Sequence, residues 1–520
     1  MKYEPEKTPR YRKRGMAVLA GLALACSAKA QEHPNILLIL TDDLGYGDVA
    51  IYNTESKVPT PRMDQLAREG MKFTDAHSPA TVCTPTRYSV MTGRMALRTG
   101  RHVVFTGAGG PNLIEENRLT LPGMLREQGY RTAKFGKWHI GLSFLDADGE
   151  PIHDGSPEGV ARIDYSRAIP DAPIHRGFDE FFGTACCPTT DFLYAFIDGD
   201  RIPVPPEGML DRSKYPDNPY TQDFREGVIA PDFDIEEIDI IFLNKSLEFL
   251  ENHAENHPDK PFFLFHSTQA VHLPSIPAKD WQGVTGLGPH ADFITQLDDN
   301  IGSLVDKLEE LGMAENTLVI VTSDNGPEIA AIVNMRADHG HDGAHPWRGI
   351  KRDQWEGGHR VPFIARWPAK IAPGSVTDQM LSLTDIMATA AAMTGYTLPD
   401  DAAEDSFDML PVLLGEDGGE PVRPHKLQQT WSANYSIRVD DWKYIDHQGS
   451  GGNDYERREE LRPFIIPDTA PEAPGQLYDL ASDPGETTNL YFEHPERVGE
   501  MRKLLHQLIT DDRSAPLRGK

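Results

Sequence analysis

The sequence predicts an α/β protein with a large, mainly parallel sheet sandwiched by helices and a smaller C-terminal α+β subdomain built on a short antiparallel sheet. Continuous apolar runs at 35–40 and 317–322 are typical of strands buried on both faces. Helical patterns at 235–252 and 291–311 lie between such runs, and this alternation is typical of a parallel sheet covered on both sides. After about residue 415, short strand-like segments replace the alternation.

Cap and turn residues set the boundaries of the predicted elements. Thr60 and Pro61 are typical of a helix start and Gly70 of its end, and Gly129 closes a second helix. The Pro- and Asp-rich stretch 198–234 predicts a long surface loop. The predicted helices cover 61–69, 119–128, 235–252, 291–311 and 495–509. The predicted strands cover 35–40, 130–135, 261–267, 317–322, 361–366, 427–431, 436–439 and 442–445.

The first 30 residues predict an export signal. Basic side chains precede the apolar run Met16–Ala25, and Ala28-Lys29-Ala30 is typical of a cleavage site. The run is too short to span a membrane, and an uncleaved anchor is the alternative interpretation. We therefore expect a periplasmic or secreted protein after cleavage near Ala30. The predicted regions are a signal peptide at 1–30, a catalytic α/β domain at 31–415 and a C-terminal subdomain at 416–520.

The composition is that of a soluble globular protein with a strong negative charge. Hydrophobic residues make up 39% of the chain, and the formal net charge is −29. Such a field repels nucleic acid and anionic bilayers, so we expect neither as a partner, and we expect no membrane span. Four cysteines are present. Cys26 would leave with the signal, and the adjacent Cys186 and Cys187 predict free thiols rather than a disulfide framework.

The run Cys83-Thr84-Pro85-Thr86-Arg87, followed by Thr92-Gly93-Arg94, carries the strongest functional signal. It resembles the signature of the type I sulfatases of the alkaline phosphatase superfamily. The resemblance implies that a maturation enzyme, either formylglycine-generating or anaerobic, oxidises Cys83 to Cα-formylglycine. One hydroxyl of the hydrated aldehyde would then attack the sulfur of a sulfate ester. The alternative for an isolated cysteine is a small buried side chain beside a turn.

Two acidic pairs follow apolar strands and resemble the metal site of that family. Asp42 and Asp43 follow the first strand, and Asp324 and Asn325 follow the run 318–323. Alone, either pair would be read as solvated turn residues. The resemblance makes all four metal ligands, with an oxygen of the converted Cys83 completing the set. Because every donor is an oxygen, we expect Ca²⁺, with Mg²⁺ as the second choice.

Five cationic or potentially cationic residues match further family positions. They are Arg87, Lys137, His139, His272 and Lys351. By the resemblance, Lys137, His272 and Lys351 bind the sulfate oxygens, and Arg87 holds the carboxylates and the hydrate in place. His272 or Lys351 would protonate the leaving alcohol, and His139 would take a proton from the hydrate.

The run 339–345 bears on which substrate the protein would bind. Its three histidines predict either a second metal site or a loop of hydrogen-bonding groups, and we expect the loop, with His341, Asp342 and His345 contacting a sugar. Together with residues 176–183, this run resembles the branch that contains arylsulfatase A and N-acetylgalactosamine-6-sulfatase. The resemblance implies an exo-acting carbohydrate sulfatase, with 6-O-sulfated galactose or N-acetylgalactosamine as substrate.

Two other functions stay open at this point. One is a phosphonate or phosphodiester hydrolase of the same superfamily, because some of those relatives carry the same cysteine signature. The other is a non-catalytic protein that binds sulfated glycans, which would follow if Cys83 is never converted.

Overall fold

The structure is a computed structural model that describes residues 33–517. A nine-stranded sheet forms its centre. The strands are β1 (Asn35–Thr41), β2 (Met71–Phe73), β3 (Arg131–Lys137), β4 (Glu180–Thr184), β5 (Ile197–Asp198), β6 (Phe262–Ser267), β7 (Thr317–Ser323), β8 (Phe363–Arg366) and β9 (Ser375–Thr377). They lie in the order β9-β2-β8-β7-β1-β6-β3-β4-β5, and the run from β7 to β4 is parallel.

Helices cover both faces of this sheet, which confirms the predicted fold class. Alternate side chains of β1 enter two different cores, with Leu38 in one and Leu37 in the other. One face carries α2, α3 and α7, and the other carries α1, α4 and α5. The helices are α1 (Pro61–Glu69), α2 (Cys83–Thr92), α3 (Leu121–Glu127), α4 (Ile238–Asn256), α5 (Pro289–Glu310), α6 (Ile329–His339), α7 (Asp385–Thr394) and α8 (Pro495–Thr510).

A second, four-stranded antiparallel sheet follows near the C-terminus, and α8 packs on it. Its strands, which pair in chain order, are β10 (His425–Gln429), β11 (Tyr435–Val439), β12 (Trp442–Ile445) and β13 (Gln476–Asp479). Gln429 at the end of β10 forms a parallel bridge with Ala80, close to the start of α2. This bridge brings the small sheet beside Cys83. The predicted boundary near residue 415 stays a prediction.

The structure differs from the predicted elements in several places. Strand β8 pairs antiparallel with β7, β3 extends to Lys137, and the strand predicted at 427–431 ends at Gln429. The strands and helices that were not predicted are β2, β4, β5, β9, β13, α6 and α7. The predicted signal, including Cys26 and Ala30, lies outside the described residues. Within residues 33–517, no helix combines the length and the apolar character needed to cross a membrane. Shorter strands and helices lie at Ala76–His77, Phe144–Leu145, Pro151–Ile152, Pro157–Val160, Leu193–Tyr194, Gly208–Met209, Val228–Ile229, Leu381–Ser382 and Leu410–Leu413.

Candidate active site

A buried cluster of charged side chains lies at the carboxyl ends of the parallel strands. Asp42 follows β1, Asp324 follows β7 and Lys137 ends β3. Strands β7 and β6 flank β1, and β3 lies beyond β6. Because these strands are parallel, their carboxyl ends meet at one edge of the sheet. This is the edge where α/β sheets bind ligands. The structure therefore brings together residues that are up to 308 positions apart in the sequence, the separation of Asp43 and Lys351.

Cys83 is the first residue of α2 and is buried, at 2% exposure. The preceding Val82 is extended, so the chain turns sharply into the helix at the cysteine. Arg87 lies one turn further along the same helix and is also buried. Its Nε and Nη2 donate to Asp324 Oδ2 at 2.9 and 2.7 Å, and its Nη1 donates to Ser267 Oγ at 2.6 Å. Arg87 thus fixes the position of Asp324 relative to Cys83.

Lysine side chains neutralise the two carboxylates that follow β1. Lys137 Nζ donates to Asp42 Oδ2, and Lys351 Nζ lies 2.7 Å from Asp43 Oδ1. Burial alone would raise the pKa of Asp42, but Lys137 and His272 more than offset it and hold that pKa below its ordinary value. Both lysines have raised pKa values despite burial, because their carboxylate partners favour the charged form.

Several features of this cluster fit a hard divalent cation. Asp42 Oδ1 and Asn325 Oδ1 are buried acceptors with no hydrogen-bond partner, which is costly unless a ligand binds them. Asn325 Nδ2 donates to Asp43 Oδ1 at 2.7 Å, so the amide oxygen of Asn325 is the atom left over. Burial and the neighbouring Asp42 raise the pKa of Asp324 to about 6, and a cation would relieve this repulsion. Oxygen donors of this kind suit Ca²⁺ or Mg²⁺.

His139 lies beside Cys83 with a defined ring orientation. Its Nε2 donates to the carbonyl oxygen of Phe105 at 2.8 Å, because a carbonyl can only accept. Nδ1 therefore faces the other way, 3.8 Å from the sulfur of Cys187. Burial lowers the pKa of His139, but Cys83 and Cys187 outweigh burial and raise it to about 9.

His272 presents its other nitrogen to the same cavity. Nδ1 donates to the carbonyl oxygen of Leu273 at 2.6 Å, so Nε2 faces Asp43 and Cys187 at 3.8 and 3.9 Å. Burial and Lys351 lower the pKa of His272, but Cys187, Asp43 and Asp42 raise it to about 10. The ring can therefore carry a proton at Nε2 near neutral pH.

A cavity of about 500 Å³ opens next to these groups. Glu328 joins it to the charged cluster, since its carboxylate lies 3.4 Å from Lys351 Nζ and pairs with both terminal nitrogens of Arg352. Asp223, from the loop predicted at 198–234, also lines this cavity. Four residues near the cluster were not predicted as site residues, and no local motif marks them: Asp223, Glu328, Arg352 and Cys187.

The predicted sugar contacts His341, Asp342 and His345 lie in the loop that follows α6. Both ring nitrogens of His341 are used, because Nε2 lies 2.8 Å from Asp48 Oδ1 and Nδ1 accepts from the backbone of Lys57. Asp342 accepts from Arg336 at 2.7 Å, and His345 is half-buried in the same loop. His341 is therefore bonded to Asp48 and Lys57, and Asp342 to Arg336, while their contact with a sugar stays a prediction. Neither group of potential metal ligands identified among the described residues includes them.

Comparison with known families identifies the class of protein. The sulfatase family pattern matches residues 34–396, so the chain belongs to the sulfatase family. It is therefore an enzyme that hydrolyses sulfate esters.

The chain also resembles particular sulfatases along most of its length. It is 33% identical to an N-acetylgalactosamine-6-O-sulfatase of Bacteroides thetaiotaomicron, covering 95% of this chain and 98% of the relative. It is 31% identical to human arylsulfatase A, covering 94% and 89%. A solved B. thetaiotaomicron sulfatase structure from work on glycosaminoglycan metabolism superimposes with a TM-score of 0.77 at 31% identity, covering 92% and 99%. The predicted resemblance to this branch is confirmed.

Proposed function

We propose that the protein removes sulfate from a sulfated saccharide, acting from the chain end on 6-O-sulfated galactose or N-acetylgalactosamine. The observation that carries this proposal is the position of Cys83, at the start of α2 beside a buried oxygen-rich cluster and three cations. The substrate class is supported by relatives whose names specify N-acetylgalactosamine 6-sulfate. The strong negative charge of the chain makes these local cations necessary for an anionic substrate.

Residue 83 and a cation would supply the reactive chemistry. Converted to formylglycine and hydrated, residue 83 would provide the attacking hydroxyl, while Ca²⁺, with Mg²⁺ as second choice, would counter the charge of the sulfate. The residues that would hold the cation are Asp42, Asp43, Asp324 and Asn325, together with residue 83. Two of them contribute the buried oxygens that lack a hydrogen-bond partner, which is the main support for this assignment.

The side chains around that centre have distinct roles. Lys137, Lys351 and His272 bind the sulfate oxygens, where negative charge increases in the transition state. His272 donates the proton at Nε2 to the departing alcohol, since its Nδ1 is bound to Leu273. His139 would accept a proton at Nδ1 from a hydroxyl of residue 83, since its Nε2 is bound to Phe105 and the conversion of Cys83 removes the thiol that does most to raise the pKa of His139. Arg87 keeps Asp324 in place.

The organisation of the chain forms part of the same proposal. Residues 1–30 act as an export signal, residues 31–415 form the catalytic domain and residues 416–520 form the C-terminal subdomain. The protein functions in the periplasm or outside the cell, and a maturation enzyme converts Cys83. Mass spectrometry of the peptide containing Cys83 tests the conversion, because replacing sulfur by an aldehyde oxygen lowers its mass.

A screen of defined sulfated mono- and oligosaccharides tests the activity. We expect release of inorganic sulfate from 6-O-sulfated galactose or N-acetylgalactosamine, and none from the Cys83→Ala variant. An aryl sulfate and the matching phosphodiester serve as reference substrates. Turnover of the phosphodiester alone would favour the alternative hydrolase, and binding of sulfated sugars by an unconverted, inactive enzyme would favour a glycan-binding protein.

A further inference from the structure

Asp223 is an acidic residue that the proposed mechanism does not use. It lies in the long loop before α4 and lines the cavity of about 500 Å³ beside the charged cluster. Asp223 is exposed, and its carboxylate has no hydrogen-bond or ion-pair partner among the residues that the structure describes. The other acidic residues of the lining are paired, Glu328 with Arg352 and Glu460 with Arg458. Asp223 therefore presents a carboxylate to the cavity whose acceptor positions are free.

A chain of buried hydrogen bonds connects the backbone of Asp223 to that of His272. The Thr190 hydroxyl donates to the Asp223 carbonyl. The adjacent Thr189 hydroxyl accepts from Gln269 Nε2 at 2.6 Å, and the same nitrogen donates to the His272 carbonyl at 3.1 Å. All four partners of this chain other than Asp223 are buried. The position of Asp223 is therefore fixed relative to a residue of the candidate active site.

Tyr220 anchors the same part of the loop from the other side. Its carbonyl accepts from the backbone N–H of Ser275 at 2.9 Å, and its hydroxyl lies 3.3 Å from Asp338 Oδ2 on α6. Its ring stacks on His290, and Tyr220 is buried. A loop held at two points in this way presents the carboxylate of Asp223 with little loss of conformational entropy when a ligand binds.

The charged groups that act on Asp223 belong to the candidate active site. The surrounding protein displaces part of the solvent around its carboxylate, which raises the pKa of Asp223 above its ordinary value, and Glu328 raises it further. His272, Arg225 and Lys351 lower it. Because such effects act over short distances, the carboxylate lies within electrostatic reach of His272 and Lys351. These are two of the three residues proposed to bind the sulfate oxygens.

A sugar whose sulfate binds at the charged cluster would extend into this cavity. Glu328 connects the two places, because it lines the cavity and its carboxylate lies 3.4 Å from Lys351 Nζ. The ring of a sulfated sugar carries hydroxyl groups, which are hydrogen-bond donors, and a carboxylate is the strongest acceptor that a side chain offers them. A second anionic group would be repelled at Asp223. The free carboxylate therefore suits the neutral, hydroxyl-bearing part of the substrate.

We propose that Asp223 is a substrate-binding residue that accepts a hydrogen bond from a ring hydroxyl of the sulfated sugar. This inference rests on the proposed action on saccharides. The cations of the cluster bind the sulfate, and Asp223 recognises the sugar that carries it. An aryl sulfate has no ring hydroxyl and gains nothing from Asp223, so the residue contributes to the choice of a sugar over other sulfate esters.

Kinetics of Asp223→Ala on two kinds of substrate test this inference. We expect kcat/KM for a 6-sulfated sugar to fall about tenfold to a hundredfold, mainly through KM, and kcat/KM for an aryl sulfate to stay within about twofold. Asp223→Asn keeps one carbonyl acceptor and should lose less on the sugar. Asp217→Ala is the matched control, because Asp217 is an aspartate of the same loop that is 94% exposed and does not line the cavity.

The outcomes separate this inference from the function on which it rests. An equal loss on both substrates, no loss on the sugar, or an equal effect of Asp217→Ala would overturn the role of Asp223 and leave the proposed function intact. If Asp223→Ala has a lowered Tm, Asp223→Asn alone decides, and it must lose activity on the sugar only. If the wild type hydrolyses an aryl sulfate but no sulfated saccharide, the proposed function fails and this inference fails with it.

Discussion

Two buried clusters of charged residues in this protein contain the same residue types but have opposite properties. One is the candidate active site around Asp42 and Asp43. The other, the Glu356 cluster, consists of His77, Glu356 and His359 with the surrounding charged residues Asp75, Arg360, Lys426, Arg438, Lys443 and Glu486. Each holds three potential metal-ligand atoms within 4.8 Å of one another, with His272 as the third in the first cluster.

The Glu356 cluster is saturated by its own cations. Glu356 pairs with Lys443 at 2.9 Å and with Arg360 at 2.8 Å. The ring of His77 lies between Asp75 Oδ1, at 2.6 Å, and the ring of His359, at 3.0 Å. The cluster links the small sheet to the rest of the fold, because Lys443 lies on β12 and Glu356 lies in the segment just before β8. The acceptor atoms of Glu356 and His359 in these contacts already have partners, so none of them is available to a metal.

The comparison shows that residue types alone do not identify a metal site. In the active site, Asp42 Oδ1 and Asn325 Oδ1 have no partner, whereas the Glu356 cluster provides cations for its carboxylates. The histidines differ in the same way. The pKa values of His139 and His272 are raised to about 9 and 10, whereas burial and Lys426 lower the pKa of His77 to about 3. We propose that the first cluster binds an ion and transfers protons, whereas the Glu356 cluster stabilises the fold.

Of the substitutions predicted here to change activity, Asp42→Asn should reduce kcat the most. The change removes one charge from the oxygen cluster without changing its shape, so we expect loss of the bound divalent ion and a fall in kcat of at least about a thousandfold. Elemental analysis and sulfate-release assays measure the two effects. Glu356→Gln is the matched control and should keep the ion. If Glu356→Gln loses the ion while Asp42→Asn retains it, the two clusters have been assigned the wrong way round.

His272→Ala should affect substrates according to their leaving groups. A sugar alcohol needs a proton on departure, so we expect kcat to fall about a hundredfold or more on a sulfated sugar. An activated aryl sulfate leaves without that proton and should lose about tenfold or less. His359→Ala provides the contrast, because its ring belongs to the Glu356 cluster, and its kcat ratio between the two substrates should stay that of the wild type. Equal losses on both substrates for His272→Ala would argue against proton donation.

Glu356→Gln should reduce stability more than activity. The change leaves Lys443 and Arg360 buried with one carboxylate fewer, which costs about 3–5 kcal/mol in comparable buried ion pairs. Urea unfolding measures this loss, and kcat of the folded fraction should be nearly unchanged. Glu460→Gln, at a half-exposed ion pair with Arg458, should change the free energy of unfolding by less than about 1 kcal/mol. If Glu356→Gln unfolded at the same urea concentration as the wild type, this cluster would not stabilise the fold.

The central strands, and the meeting of the polar residues that follow them, could be predicted from the sequence for a physical reason. Strands β1 and β7 are continuous apolar runs, and the polar residues that follow them must meet at one sheet edge. Strand β3 was predicted to end at Phe135, because Gly136 and the charged Lys137 follow its apolar residues. Lys137 is nonetheless buried, and so is Lys134 within the strand, whose Nζ lies 3.6 Å from the ring centre of Phe265.

Contacts between distant segments could not be predicted. His341 lies in a histidine-rich run, but its partner Asp48 is 293 residues away and carries no motif. Cys187 was expected only as a free thiol. Its position between His139 and His272 depends on where the chain goes after β4, which no local pattern specifies.

The pH dependence of stability should give the smallest effect. His77 is buried and neutral, with a pKa of about 3 in the folded state against 6.5 in an unfolded chain. Its neighbours are Asp75, Glu356, His359 and Lys426. The unfolded chain therefore binds more protons between these values, so the stability contributed by this histidine is fully present above pH 6.5 and is lost as the pH falls towards 3.

Each pH unit in that window should cost up to about 1.4 kcal/mol for this single group. The measurement is urea unfolding at pH 7.5 and pH 5. His77→Gln should be less stable than the wild type at pH 7.5, but its free energy of unfolding should fall less between the two pH values. His506→Gln is the control, because that histidine is exposed on α8. An unchanged pH dependence in His77→Gln would mean that His77 is not the neutral, buried group that distinguishes the Glu356 cluster from the active site.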